Sequence, residues 1–318
     1  TFSGNDDAGI TLAYTDTLYM DVYQNGVLLV PATDYAASTG TSVVLVQGAS
    51  VDDTLELLVH DIFSVADSVS AKDGGTFSGT IAAAGLSTSS LGTSNFRAGV
   101  NAGNSITAGG NYNVTVGDEA GTALTTGDDN TFVGYAAGDA TTTATDNVAV
   151  GHDAFTANST GGDNVAVGAN ALMANTTAAG NTGLGYQALK TNTEGHSNVA
   201  VGKNSLKLGT TGDYNVAVGM NALDANTTAD NNTAVGYAAL GANTTGTGNV
   251  AVGTNALDAN TTANNNTAVG KAALGANTTG ADNVAIGAVA LDANTTGDNN
   301  TAVGQQALGS NTTADNNT

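Results

Sequence analysis

The chain of 318 residues has no Cys, no Trp and a single proline, Pro31. Without Cys there is neither a disulfide framework nor a thiolate-ligated metal site. Basic residues are scarce: Lys plus Arg number 6 against 28 Asp plus Glu, for a net charge of −22. Nucleic-acid binders neutralise phosphates with Lys and Arg, so that class is excluded. No run of ~18 apolar residues exists to form a membrane-spanning helix, and no membrane insertion is expected. No cleavable leader pattern is visible, and the chain begins at Thr1 rather than Met. Aromatics make up 5% and charged residues 11%, the latter against ~25% in ordinary globular domains. Much of the apolar fraction is Ala, so a core of large side chains is not available. What remains, rich in Gly, Asn and Thr, suits either a disordered chain or a regular array of small residues.

A repeat decides between the two. The motif Asn-[Thr/Val]-Ala-Val-Gly, in its common form, recurs with its Gly at 117, 134, 151, 168, 185, 202, 219, 236, 253, 270, 287 and 304. The same 17-residue step separates all twelve copies, without insertion or deletion. A fixed period means that each residue has a stacked equivalent. Gly99, in Asn95-Phe-Arg-Ala-Gly99, reads as a degenerate earlier copy one residue out of phase.

Each copy divides into a strand, an Ala-Leu step and a polar turn. Four residues before the Gly there is always Asn, from Asn113 to Asn300. The β-branched run after it is a strand of about four residues, which Gly ends at a bend with no room for a Cβ. Ala follows three residues after the Gly, then Leu from Leu172 onward, then Asn-Thr-Thr. A unit of this kind forms one coil of a parallel β-roll or β-solenoid. A helical-hairpin repeat is longer, and Gly with β-branched residues disfavours helix. At ~4.8 Å per coil the twelve coils span roughly 58 Å.

Stacking predicts ladders. The Asn at the strand start and the Asn of Asn-Thr-Thr (Asn175, Asn226, Asn243 and their equivalents) are expected to hydrogen-bond from coil to coil. Val, Ile or Leu before the Gly, with Leu after it, is expected to fill the coil. Strand alternation would then turn the Ala column, such as Ala149, Ala217 and Ala251, to the opposite face. So thin a core does not offset the entropy lost in ordering a whole coil. The small, uncharged Ala face is therefore expected to meet other copies in a homotrimer. In later coils Asp224, Asp258 and Asp292 alternate with Gly241, Gly275 and Gly309. The alternation spaces like charges ~9.6 Å apart, close to a Debye length, and duplication of a two-coil unit gives the same pattern.

The amino-terminal part differs. Residues 1–67 carry Phe2, Tyr14, Tyr19, Tyr23, Tyr35 and Phe63, with apolar runs at 10–14, 19–23, 27–30, 43–46 and 55–59. Asn25-Gly26 between two of them is a type I′ hairpin signal. A small antiparallel β-domain of about five strands is expected, with Pro31 after a strand, where a missing N–H costs little. Residues 68–112 form a Gly/Ser/Ala-rich connector with short extended segments at 75–81 and 96–100, and residues 113–318 are the repeats.

The repeat Asn-Thr-Ala-Val-Gly-Tyr-Ala-Ala-Leu-Gly-Ala-Asn-Thr-Thr-Gly (232–246) resembles those of bacteriophage tail fibres. It is also similar to the head repeats of trimeric autotransporter adhesins, which share a core of the form Val-Ala-Ile-Gly. That resemblance covers residues 113–318 and implies a trimeric parallel β-roll, although the adhesin repeats are usually shorter. The front half is similar to a module of marine-phage tail fibres. It is carried by Asp21-Val-Tyr-Gln-Asn-Gly-Val-Leu-Leu-Val30, Thr33-Asp-Tyr35, Gly40-Thr-Ser-Val-Val-Leu45, Asp53-Thr-Leu-Glu56 and Phe63-Ser-Val-Ala-Asp67. Gly74-Gly-Thr-Phe-Ser-Gly79 resembles a joint between fibre modules. The resemblance implies an internal stretch of a longer virion appendage, extracellular, contacting other fibre or tail proteins and a host-surface glycan or protein.

Residues that carry chemistry are few. His60, His152 and His196 lack a positioned acid/base partner, and His152 and His196 fall at different repeat positions. Asp118, Glu119, Asp128 and Asp129 cluster near the first copy and read as solvated turn acids, with a hard-cation site the alternative. No catalytic, cofactor or metal residue is assigned, and a non-enzymatic role is expected. Tyr135, Tyr186 and Tyr237 follow the motif Gly three coils apart, roughly 14 Å by stacking. The variety at that position (Asp118, His152, Lys203, Lys271, Gln305) marks it as exposed, so these tyrosines are candidate ligand contacts. The expected function is a structural shaft of a tail fibre. The alternatives are a cell-surface trimeric adhesin head and an ice-binding solenoid using Thr pairs such as Thr227-Thr228, of which only one member would point outward.

Overall fold

The computed structural model describes residues 2–3, 20–31, 33–36, 42–47, 55–59 and 92–318. They belong to two units, 1–82 and 83–318. All regular structure among the described residues is β.

The first unit holds two three-stranded antiparallel sheets. One has the order β1 (Phe2–Ser3), β5 (Ser42–Leu45), β4 (Tyr35–Ala36). The other has the order β3 (Val27–Leu28), β2 (Met20–Gln24), β6 (Leu55–Val59). Asn25 (φ 51°) and Gly26 (φ 79°) make the expected hairpin turn between β2 and β3. Val22, Tyr35, Val43 and Leu45 are buried. Pro31 lies beyond β3 and bridges to Tyr35. The strand expected over 10–14 and the extended segment over 75–81 lie outside the described residues, as does His60.

The second unit is a solenoid with one 13-stranded parallel sheet, β7 to β19 in sequence order. It opens with β7 (Phe96–Ala98), paired to β8 (Val114–Val116) in the register Phe96↔Val114. Residues 96–98 are therefore the first rung, one residue longer in its step than the 17-residue repeat, and the stack begins inside the stretch read as connector. From β9 (Thr131–Val133) to β19 (Thr301–Val303) each strand pairs with its equivalent one repeat away. Twelve intervals at ~4.8 Å give an axial length of roughly 58 Å.

The strand faces are the reverse of the sequence expectation. Ala149, Ala166, Ala200, Ala217, Ala234, Ala251, Ala268 and Ala285 are fully buried inside their own chain. The residues on either side of them turn outward. In β18 (Val284–Ile286), Val284 is half-buried, Ala285 buried and Ile286 42% exposed. The reason lies across the coil. Gly183 replaces Ala in one rung, and a Cβ built there would already lie 3.4 Å from Leu172 Cγ and 3.3 Å from the Ala188 carbonyl. Nothing larger than a methyl fits, so Ala takes the core and the β-branched pair takes the surface. Ala is therefore not the surface that other copies could meet.

The core column is one Leu, two Ala and two Asn per coil. The Leu residues, Leu172 to Leu291, are buried with φ of 46–52°. This left-handed conformation is costly for a branched side chain, and packing of the whole column holds it. The earlier copies solve the same problem differently. Gly121 and Gly138 stand at the Leu position, and Phe132 stands in the Ala column. A Cβ on Gly138 would lie 2.8 Å from the Phe132 ring and one on Gly121 would lie 3.0 Å from it. One aromatic ring fills the room vacated by two leucines.

The polar ladders form as expected. Oδ1 of each strand-start Asn accepts the backbone N–H of its equivalent one coil on, unbroken from Asn95 to Asn317. Its Nδ2 also donates to a turn carbonyl, as from Asn232 to Gly246 at 2.9 Å. The second Asn column links side chain to side chain, as Asn243 Nδ2 to Asn226 Oδ1 at 3.0 Å. Gly209 is the one break in that column between Asn158 and Asn311. The first Thr of each turn donates its hydroxyl to the next coil's carbonyl, as Thr244 to Thr261 at 3.0 Å. The second Thr, as in Thr228, Thr245 and Thr262, is exposed, so only one of each pair faces outward.

Candidate functional site

The described residues offer three surfaces along the solenoid. The first is the outward side of the sheet. From β8 to β19 its two outward residues are always Val, Thr, Leu or Ile, with no charge in any rung. Leu184 is 45% exposed, and Val235, Val252 and Val269 are comparably open.

The second surface is the position just after the motif Gly, where the sequence placed its three tyrosines. Tyr135, Tyr186 and Tyr237 are 50, 48 and 49% exposed. The structure aligns them in one axial column but does not bring them into contact. Tyr135 stacks on His152 of the next coil, with ring centroids 5.3 Å apart. His152 Nδ1 lies 3.1 Å from Asp153. The Tyr186 hydroxyl accepts from Gln187 Nε2 at 3.1 Å.

The third surface is the acidic side. Side-chain acceptors here cap backbone N–H groups of the preceding coil. Asp128 Oδ1 accepts from Asn111 at 2.6 Å, Asp230 from Asp213 at 2.8 Å and Asp298 from Ala281 at 2.7 Å. Asp118, in the column after the motif Gly, likewise accepts from the Val100 N–H at 3.1 Å. Of the four acids read as solvated turn residues, Asp118 and Asp128 thus take part in the stack through their side chains. His196 occupies the same column as Asp213 and Asp230, its Nδ1 accepting from Ala179 N–H at 3.0 Å, far in repeat position from His152. Among the described residues no group of three or more His, Asp or Glu is placed to hold a metal ion.

Half-buried carboxylates lie between these surfaces. Burial raises Asp224 above the usual carboxylate range, and nearby Lys207 partly offsets it. Burial also raises Asp258. Asp139 is raised by burial first, with Glu119 and Asp153 adding like charge. A Cβ on Gly309 would start 3.2 Å from Asp292 Oδ1, whereas one on Gly241 or Gly275 meets first the backbone carbonyl of Ala238 or Ala272.

Charge segregation is a property the repeat-by-repeat reading missed. From β11 (Val165–Val167) to the end, the segment from the strand through the Leu contains no acid in any coil. It does contain Lys203 and Lys271, both exposed. Every acid of these coils lies in the turns. Aligning the twelve copies and scoring charge by column would have found it.

In the first unit, Gln24, Leu29, Thr33, Asp34, Val46 and Gln47 line an open depression of about 270 Å³. Its wall is a turn closed on itself, with Val30 N–H donating to Asp34 Oδ2 at 2.8 Å. Among the described residues no helix is long and apolar enough to cross a membrane. In comparisons with known proteins, no family model, curated protein or solved structure matches the chain.

Proposed function

We propose that the chain is a structural shaft segment of a phage tail fibre, non-enzymatic, extracellular on the virion, and assembled as a homotrimer. The observation that carries the reading is the unbroken parallel stack. Three hydrogen-bonded side-chain ladders and one backbone sheet run along a single axis of roughly 58 Å. Such a body holds two ends apart. The surface for assembly is the outward β-branched row, in place of the Ala face. Twelve rungs of uncharged side chains on a chain of net charge −22 form a strip where copies approach without repulsion. At ~10 Å wide the strip offers of order 600 Å² per copy, less than the ~800 Å² per partner of a standard-size interface, so a trimer needs further contact area beside the strip. Partners at the ends would be other fibre or tail proteins.

The test is the native mass of the intact chain together with electron microscopy. A mass of three chains, each of 30.9 kDa, in rods of uniform length supports the shaft. A monomer of the same dimensions removes the trimer and with it the fibre reading. The second reading is an adhesin head that binds a host or matrix partner along its side, and the exposed tyrosine column favours it. Flanking modules distinguish the two: a membrane-anchor barrel for the adhesin, a tail-binding segment for the fibre.

A further inference from the structure

We infer that the two columns bordering the outward row of the sheet complete the contact between copies, the residue after the motif Gly of one copy meeting the residue before the ladder Asn of the next. The inference rests on the trimer of the shaft reading and adds which side chains meet in it. From Tyr112 onward, every exposed large apolar side chain except Leu208 lies in the outward row or in one of these two columns. Tyr135, Tyr186, Met220 and Tyr237 stand on one border, Tyr112 and Tyr214 on the other. Exposed apolar area gathered on one face marks a surface that a partner covers. Two columns of ~5 Å each add of order 500 Å² per copy along the stack, which supplies the contact area that the row alone lacks.

The two borders differ in charge. The column after the Gly holds Lys203, Lys271 and His152 with one acid, Asp118. The column before the ladder Asn holds Asp129, Asp146, Asp163 and Asp282 and no cation. Unlike borders attract, and unlike borders are what rotation about a three-fold axis brings together. A closed ring has no translation along its axis, so equivalent coils stand level. Level coils place His152 beside Asp146 and Lys203 beside Ser197. They place Met220 beside Tyr214, a sulfur–aromatic contact. Tyr186 stands beside Gly180, which has no side chain to obstruct the ring. The tyrosine column is then covered in the assembly rather than free.

The test is thiol crosslinking of the full chain with a short bismaleimide, read as mass on a denaturing gel. The chain has no Cys, so introduced thiols are the only ones. Two variants carry a level pair: Tyr214→Cys with Met220→Cys, and Ser197→Cys with Lys203→Cys. Both should give chains linked in twos and threes, while a link within one chain leaves its mass unchanged. Tyr214→Cys alone and Met220→Cys alone should not link, because each column meets the other and not itself. Tyr214→Cys with Ala288→Cys should not link either, its two coils lying ~19 Å apart along the axis. All the substituted side chains are exposed, and unchanged thermal melting of each variant confirms that it is folded. The native mass of the unsubstituted chain separates the two readings. Three chains with no linking of the level pairs, or with equal linking of the single-thiol variants, overturns the pairing and leaves the shaft reading in place. A monomer removes both.

Discussion

The ring of Phe132 lies where a side chain on Gly138 would go, 2.8 Å from the position of its missing Cβ. The two residues belong to the same coil and complement each other across it. Phe132→Ala should cost ~3–5 kcal/mol as a large buried side chain is lost. Gly138→Leu alone should clash with the ring. Together with Phe132→Ala it restores the pattern of the later coils and should recover part of the loss. A double-mutant cycle by chemical denaturation reads the coupling, and additive effects would refute the complementarity.

The motif glycine is required for the contact between coils. A Cβ on Gly236 would lie 2.6 Å from the Gly253 carbonyl oxygen, whereas one on Gly304 meets nothing closer than 4.0 Å. Both lie in the same positive-φ region, at 138° and 125°, so both Ala variants carry backbone strain of ~1–3 kcal/mol. Gly236→Ala should therefore destabilise by at least ~2 kcal/mol more than Gly304→Ala, the clash adding an overpacking cost. Equal melting temperatures would contradict the stacking.

Leu240 is fully buried and Tyr237 beside it is half exposed. Leu240→Asp should cost several kcal/mol by placing an unpaired charge in the column, while Tyr237→Ala should be near neutral for stability. Circular-dichroism melts of the two compare them directly.

Gly209 interrupts the second Asn column between Asn192 and Asn226. Its φ is ordinary, and a Cβ would sit 3.3 Å from Leu206 Cγ, beside the same Leu position that the other copies pair with Asn. Gly209→Asn should complete the ladder and stabilise by about 1 kcal/mol. A drop in melting temperature would show that this coil differs from its neighbours.

Stability should respond to acid in an unusual direction. Asp139, Asp224 and Asp258 are raised by burial, so the folded chain holds their protons more tightly than the unfolded one. Their ionisation opposes folding. Stability from these groups is complete below the ordinary carboxylate range and is lost as pH rises through their raised folded values. Melting temperature should rise as pH falls from 7 toward that window, and Asp224→Asn with Asp258→Asn should flatten the rise.

The fold was legible because a constant 17-residue step fixes register, and because Asn at a fixed place in every coil has a plain use in stacking. Gly99 already marked the extra rung at β7. Which strand residue faces inward was not legible. Hydrophobicity favoured Val over Ala for the core, but the room available is set from across the coil, where Leu172 and its equivalents leave space for a methyl. Their left-handed backbone has no signature in Leu itself. Its one trace is Gly121 and Gly138 at the same position in the first copies. Of the candidate site, the tyrosines were found by exposure alone, while the acid-free side emerges only when columns are compared.

The missing amide at Gly209 has a mechanical side. Pulled along its axis, the stack bears load through its rungs in series, so the tension is equal everywhere and the weakest junction yields first. At the two junctions beside Gly209 the second Asn column is absent, and Thr191 Oγ1 donating to the Gly209 carbonyl at 3.1 Å and Asn204 Nδ2 donating to Asn221 Oδ1 at 3.1 Å tie the coil to its neighbours instead, so load passes there through a different set of side chains.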